Sequence, residues 1–175
     1  MAALLFILET LVSLAMLAVL LRLILQWARA DFRNPLARAL LQLTNPLVVP
    51  LRRILPAVGR IDTASVLLVL LLALLRVSIG WLLPGLGLPP LLLWLRMALY
   101  ELLSMLLWTY FLAIFFYALI SMIAPEVYSP AQSLLRAMCE PVLRPIRRLI
   151  PPLGGLDLSP LWAGIAIQAL LILLR

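Results

Sequence analysis

The residues of this 175-residue chain that are best suited to a chemical task are two pairs of arginines, Arg52-Arg53 and Arg147-Arg148. Each pair stands between prolines in one of two similar stretches, NPLVVPLRRILPAVGRID (residues 45–62) and EPVLRPIRRLIPPLGGLD (140–157). Guanidinium groups bind phosphate and carboxylate through several N–H donors in a fixed fork. The two pairs, together with Arg144, are therefore predicted to bind anionic lipid headgroups or a partner protein.

The two stretches match at a constant offset of 95 positions, which predicts a tandem duplication. The other matched residues are Pro46/Pro141, Pro50/Pro145, Pro56/Pro151, Gly59/Gly154 and Asp62/Asp157. The same offset aligns Asn34-Pro35 with Ser129-Pro130 upstream. We therefore expect a first repeat over residues 1–83 and a second over 96–175, joined by a loop at 84–95.

Composition places the chain in the membrane. It is 66% hydrophobic and only 12% charged, with a mean hydropathy of +1.17, which is outside the range of soluble globular proteins. The net charge of +7 comes from arginines clustered beside apolar runs, which favours lipid headgroups. Nucleic-acid binding is not expected, because no aromatic or glycine-rich recognition motif accompanies these arginines.

The residues also argue against catalysis. The chain has one cysteine and no histidine, which excludes an intramolecular disulfide and most transition-metal sites. It contains no Ser-His, Cys-His, paired-carboxylate or phosphate-cradle pattern. We therefore expect no enzyme, no metal and no cofactor.

Apolar runs predict an all-α membrane protein with four transmembrane helices arranged as two tandem parallel repeats. The predicted spans are residues 3–27, 64–83, 96–123 and 159–174. Within each repeat, residues 31–62 and 129–157 respectively are predicted to form short amphipathic interfacial helices and a signature loop. Arginines cluster in these two segments, so the positive-inside rule places them in the cytoplasm and both termini in the periplasm.

Prolines and caps predict the form of the segment between the first two spans. Asn34-Pro35 is a strong helix start, and Asn45-Pro46 is predicted to start a second short helix. Pro50 and Pro56 should kink and end it, and Gly59 supplies a turn. Asp62 and its counterpart Asp157 precede apolar runs, where a carboxylate can accept from exposed helix amides. Asp157 is also a candidate partner of Arg147 or Arg148.

Ionisable residues interrupt the predicted spans. Arg22 and Gln26 are expected to extend toward the nearer membrane surface. Glu9, Arg76 and Glu101 all fall in the outer half of the bilayer when each span is centred on the midplane. Arg76 is predicted to bridge to Glu9, with Glu101 as the alternative partner and an unaided extension to the surface as the other alternative.

The double pattern P-x-R-R-[IL]-[IL]-P-x-x-G-x-[IL]-D, with an Asn-Pro or Ser-Pro helix start before each copy, resembles the YggT (YlmG) family of small bacterial integral membrane proteins. The resemblance covers nearly the whole chain and implies a location in the bacterial inner membrane. It implies no reaction. It associates bacterial members with osmotic tolerance and plastid relatives with cytochrome complex assembly and with nucleoid or division-related membrane organisation.

Two functions follow as expectations. The first is a membrane assembly or organisation factor that binds anionic lipids and either partner membrane proteins or further copies of itself. The alternative is a small channel or solute transporter that contributes to osmotic tolerance. A channel requires a polar path, for which the sequence offers Glu9, Arg22, Arg76, Glu101, Ser104 and Gln168.

Overall fold

A computed structural model describes residues 2–55, 62–82, 87–123, 129–150 and 157–174. Within these ranges the chain forms α-helices and no β-strand. The helices are α1 (Ala2–Trp27), α2 (Pro35–Ile54), α3 (Thr63–Leu82), α4 (Leu91–Ile123), α5 (Pro130–Leu149) and α6 (Ser159–Leu174). Helices α1, α3 and α4 are long and apolar enough to cross a membrane, whereas the apolar α6 has 16 residues. The described part of the chain is therefore that of a helical membrane protein, with three candidate spans and one shorter apolar helix.

Helix α1 is unbroken because its 26 residues include neither proline nor glycine. It ends in a Schellman motif, in which Ala30 N donates to Leu25 O at 2.9 Å and Arg29 N donates to Gln26 O at 3.2 Å. Arg29 adopts the left-handed conformation that this motif requires, with φ at 52°. Glycine usually occupies this position, since a side chain there is sterically strained.

Helices α2 and α5 begin as the sequence predicts. Asn34 Oδ1 accepts from Leu36 N at 2.9 Å, and Ser129 Oγ accepts from Gln132 N at 3.1 Å. In each case the following proline is the first helical residue, where its missing N–H leaves no intrahelical bond unmade.

The prediction that prolines divide these segments into short helices is wrong. Helix α2 runs through Pro46 and Pro50, and α5 runs through Pro141 and Pro145, each for 20 residues. Prolines four residues apart remove amide donors from the same side of a helix, so the bonds on the other sides can hold it together. Asn45 consequently lies inside α2 and does not cap a new helix. Pro56, Gly59, Pro151 and Gly154 lie outside the described residues.

Helix α4 begins at Leu91, five residues before the predicted start of the third span. Pro89 and Pro90 precede it, and Trp94 N donates to Pro90 O at 2.9 Å to close the first turn. Trp94 Nε1 also donates to Leu74 O at 3.2 Å and to Ser78 Oγ at 3.1 Å, both on α3. The proline pair therefore starts this helix, and the tryptophan joins it to α3.

The chain divides into two compact units. The first comprises Met1–Leu23 and Leu40–Met105, and its core includes Met16, Val19, Val48 and Ala73. The second comprises Ile24–Ala39 and Leu106–Arg175, and its core includes Ile114, Leu143 and Ile167. In the second unit Asn34 Nδ2 donates to Pro130 O at 2.7 Å and to Ser133 Oγ at 2.9 Å, which joins the start of α2 to the start of α5.

Candidate functional site

In the first unit, Arg52 forms a two-pronged ion pair with Asp62. Arg52 Nε lies 3.2 Å from Asp62 Oδ1, and Arg52 Nη2 lies 2.5 Å from Asp62 Oδ2. Ser65 Oγ also donates to Asp62 Oδ2, at 2.6 Å. Because Arg52 is near the end of α2 and Asp62 directly precedes α3, this pair holds one helix against the start of the next.

Arg22 of α1 completes this group, and the prediction that it reaches the membrane surface is wrong. Its side chain is only 3% exposed, and its Nη1 donates to Thr44 Oγ1 at 2.8 Å and to Asn45 Oδ1 at 2.9 Å. Its Nε lies 3.8 Å from Asp62 Oδ2 and has no hydrogen-bond partner. The partners supplied by α2 and Asp62 explain why the side chain stays inside. We call Arg22, Thr44, Asn45, Arg52, Asp62 and Ser65 the first cluster.

The second unit contains a corresponding group. Arg147 Nε donates to Asp157 Oδ2 at 2.8 Å, which confirms Arg147 as the partner of Asp157. Arg147 Nη1 donates to Glu140 Oε2 at 3.1 Å, and its Nη2 donates to the Tyr117 hydroxyl at 3.4 Å. Asp157 Oδ1 accepts from Ser159 N at 2.9 Å at the start of α6. We call Tyr117, Glu140, Arg147 and Asp157 the second cluster.

The electrostatics of both clusters favour charged side chains. Burial opposes ionisation of Asp62, but hydrogen bonds from Arg52 and Ser65 outweigh it and hold the pKa of this carboxyl below its usual value. Burial likewise acts against Asp157, whose pKa is nevertheless lowered by hydrogen bonds from Ser159 and Arg147. The hydrogen bond to Asp62 raises the pKa of Arg52. Both aspartates are therefore anionic at neutral pH.

The two clusters occupy equivalent places in the sequence. The offset of 95 positions aligns Arg22 with Tyr117, Asn45 with Glu140, Arg52 with Arg147 and Asp62 with Asp157. Sequence reasoning singled out the last two of these pairs and missed the first two. Applying the same offset to the polar residues of the spans and interfacial helices would have found them.

The second arginine of each pair is placed differently from the first. Arg53 and Arg148 are exposed, and no carboxylate of the described ranges lies within ion-pair distance of either guanidinium. Arg144 is 66% exposed and lies 3.6 Å from Glu140 Oε1 one helical turn away. The arginine pairs thus divide into Arg52 and Arg147, which are bound to aspartates, and the outward-facing Arg53 and Arg148, which are not.

The structure pairs Arg76 with Glu101, and the prediction that Arg76 bridges to Glu9 is wrong. Arg76 Nη1 on α3 donates to Glu101 Oε2 on α4, and each side chain is about one-third exposed. Trp94 and Glu101 are two turns apart and share a face of α4, so the contact of Trp94 with α3 also brings Glu101 to Arg76. Glu9 instead approaches α3 at Gly80, with its Oε1 at 3.7 Å from the position that a Cβ of Gly80 would occupy.

Apolar spans, amphipathic helices between them and arginines held by carboxylates define a small helical membrane protein. The chain belongs to the CCB3/YggT family, whose model matches residues 1–83 and 96–175. It is 43% identical to the Pseudomonas aeruginosa protein named "Uncharacterized protein PA0392", over 95% of this chain and 85% of that protein. It is 37% identical to "Uncharacterized protein YggT" of Escherichia coli K12, over 92% of this chain and 83% of the relative. No solved structure gives a significant match.

Proposed function

We propose that the protein is a non-enzymatic membrane organisation factor that binds anionic lipid headgroups through the outward-facing arginines of α2 and α5. The observation that carries this proposal is the exposure of Arg53, Arg144 and Arg148 on amphipathic helices that adjoin apolar spans. An arginine near an anionic membrane surface contributes about 1 kcal/mol of binding free energy. Three such residues supply enough attraction to select anionic over zwitterionic lipid.

The proposal includes the membrane arrangement. Helix α6 completes a four-helix topology of two tandem parallel repeats, since 16 residues reach about 24 Å and local thinning of the bilayer accommodates the remainder. The basic helices α2 and α5 then face the cytoplasm of a bacterial cell, and the termini face the periplasm. Support comes from the equal lengths of α2 and α5, their matched prolines and their matched Arg–Asp pairs.

A structural role fits the intramembrane arginines better than a transport path. Arg22 contacts Thr44, Asn45 and Asp62, and Arg76 pairs with Glu101, so both guanidiniums are used to join helices. Residues that fix helices together are poorly suited to binding and releasing ions. Ion-flux and osmotic-swelling measurements on the protein in liposomes should therefore match those of protein-free liposomes, and specific flux would instead establish the channel function.

Lipid retention tests the main proposal. Arg53, Arg144 and Arg148 are replaced together by glutamine, which leaves both Arg–Asp pairs in place. The matched control replaces the same three residues by lysine, which keeps the charge. Phosphatidylglycerol and cardiolipin that co-purify in detergent should fall in the glutamine variant and remain in the lysine variant, with phosphatidylethanolamine unchanged in both. Equal anionic lipid content in all three proteins would refute the proposal.

A further inference from the structure

The first and second clusters, although built at equivalent positions, carry different net charges. The first contains two guanidiniums, Arg22 and Arg52, and one carboxylate, Asp62. In the second, Arg147 binds two carboxylates, Glu140 and Asp157, and the exposed Arg144 also pairs with Glu140 at 3.6 Å. The first therefore has one surplus positive charge, whereas the charges of the second are balanced when Arg144 is counted. The exchange arises at two aligned positions, where Arg22 and Asn45 of the first cluster correspond to Tyr117 and Glu140 of the second.

The surplus positive charge of the first cluster is not satisfied by the described residues. Arg22 is almost wholly buried, yet its Nε has no hydrogen-bond partner. Asp62 is shared between the two guanidiniums, and its Oδ2 already accepts from Arg52 Nη2 at 2.5 Å and from Ser65 Oγ at 2.6 Å. A buried charge without a counter-ion is costly. The first cluster thus lacks one anion.

An anion can reach the cluster at Arg52, which is 41% exposed while Asp62 is fully buried behind it. A guanidinium carries five N–H donors in a fork, and the described contacts of Arg52 to Asp62 use two of its nitrogens, Nε and Nη2. Its Nη1 therefore keeps donors for a second ligand.

We infer that the first cluster is a binding site for one phosphate group, held by Arg52 and balanced by the surplus charge of Arg22. The second cluster has no corresponding capacity, because Arg147 is already bound to two carboxylates. This inference deepens the proposed lipid binding, on which it rests for the source of the phosphate in a membrane. The shared chemistry is the phosphate group of an anionic lipid or of inorganic phosphate.

Exchange of the aligned residues tests this site. Arg22→Gln removes the surplus charge and should weaken phosphate binding about fivefold, the factor that corresponds to one arginine near a headgroup. Arg22→Lys keeps the charge and should preserve binding. The double variant Tyr117→Arg/Glu140→Asn gives the second cluster the residues of the first at these two positions, and with them a surplus positive charge, so it should create a second site. Because this last variant gains binding, its result does not depend on whether Arg22→Gln folds normally.

Two ligands distinguish the source. Native mass spectrometry counts the phosphatidylglycerol molecules retained by each purified protein. Relative to the wild type, the average number should fall for Arg22→Gln and rise by one for the double variant. Thermal unfolding in sodium phosphate, against sodium chloride of equal ionic strength, measures inorganic phosphate. If only the retention of phosphatidylglycerol depends on Arg22, the site binds lipid headgroups. If stabilisation by inorganic phosphate also depends on Arg22, the site binds phosphate groups in general.

The outcomes separate this site from the proposed function. If Arg22→Gln and the double variant retain as much phosphatidylglycerol as the wild type, and phosphate stabilises all of them equally, the site is refuted. In that case a loss of lipid in the Arg53/Arg144/Arg148 glutamine variant still supports surface binding. Conversely, a response to the cluster variants without a response to the surface variant supports the site and refutes the wider proposal.

Discussion

Arg22 Nε lies 3.8 Å from Asp62 Oδ2, and the two side chains expose 3% and 0% of their surface. This contact joins the C-terminal part of α1 to the residue that precedes α3, while Arg52 approaches the same carboxylate from α2. Three helices of the first unit are therefore held by a single aspartate. Replacing Asp62 should therefore destabilise the protein more than replacing either Arg22 or Arg52.

The first prediction concerns that ranking. Asp62→Asn leaves two guanidiniums around a neutral amide, and we expect a loss of about 3–5 kcal/mol in the free energy of unfolding. Arg22→Gln leaves the neutral Arg52–Asp62 pair intact and should cost less. Thermal unfolding in detergent measures both, with the exposed Asp31→Asn as a control for charge removal. A smaller loss for Asp62→Asn than for Arg22→Gln would contradict this account of the cluster.

The second prediction concerns pH. Because the pKa of Asp62 is lowered in the folded protein, its contribution to stability is complete above its unfolded pKa of about 3.9 and is lost as the pH falls through the folded value. The wild-type unfolding midpoint should therefore drop steeply below about pH 4. Asp62→Asn should show a shallower drop over the same range. Asp157 is 41% exposed, so Asp157→Asn should flatten the profile less.

Should the profiles of the wild type and Asp62→Asn be parallel between pH 5 and pH 3, another group must be responsible for the acid sensitivity. The measurement uses one detergent throughout and a fixed ionic strength, because salt screens the more exposed Arg147–Asp157 pair more strongly than the buried Asp62.

The third prediction concerns the end of α1. Arg29 occupies a left-handed position with φ at 52°, where glycine is sterically preferred. Arg29→Gly should therefore raise the free energy of unfolding by about 1 kcal/mol. Arg29→Ala removes the same charge but keeps the strained Cβ, so it serves as the matched control and should bring no such gain. Equal midpoints for the two variants would mean that the left-handed conformation of residue 29 costs little when a Cβ is present.

Sequence patterns predicted the helical class, the apolar segments and the starts of α2 and α5. These features depend on local properties, such as the length of an apolar run or a side-chain oxygen two or three positions before a backbone amide. The starts at Asn34 and Ser129 were found for this reason. The continuity of α2 through Pro46 and Pro50 was missed, because a proline rule applied one residue at a time ignores the bonds that remain on the other sides of the helix.

The partners of buried charges were harder to predict. Depth along the membrane normal did not distinguish Glu9 from Glu101 as the partner of Arg76, because it says nothing of which helix lies beside which face. The side-chain bonds of Trp94 to α3 supply that information. Arg22 was expected to extend toward the nearer membrane surface, because its long side chain can do so unaided. Its partners Thr44 and Asn45 lie on α2, and no sequence pattern indicated that this part of α2 packs beside Arg22.

The fourth prediction concerns Cys139, which is buried on α5. Burial raises the pKa of its thiol to about 12, so the reactive thiolate is scarce at pH 8. N-ethylmaleimide should label the native protein slowly and the denatured protein rapidly.

The native chain then provides a low background for cysteines introduced at Leu88 and Leu149, which are 61% and 82% exposed. With a membrane-impermeant maleimide, intact cells should label Leu88→Cys and protect Leu149→Cys. The reverse pattern would invert the proposed topology.

The last prediction concerns the pair formed by Arg76 and Glu101, each about one-third exposed on apolar helices. Arg76→Leu leaves Glu101 without its cation in an apolar setting, and Glu101→Leu leaves Arg76 without its anion. Each change should lower the unfolding midpoint in detergent, and the double variant should recover part of the loss. The expected coupling is about 0.5–3 kcal/mol, the range for residues in direct contact.

Glu9→Leu is the control, since Glu9 approaches Gly80 and is not paired with Arg76. Its effect should add to that of Arg76→Leu. Coupling of Arg76 to Glu9 with additivity toward Glu101 would restore the partner that sequence reasoning favoured.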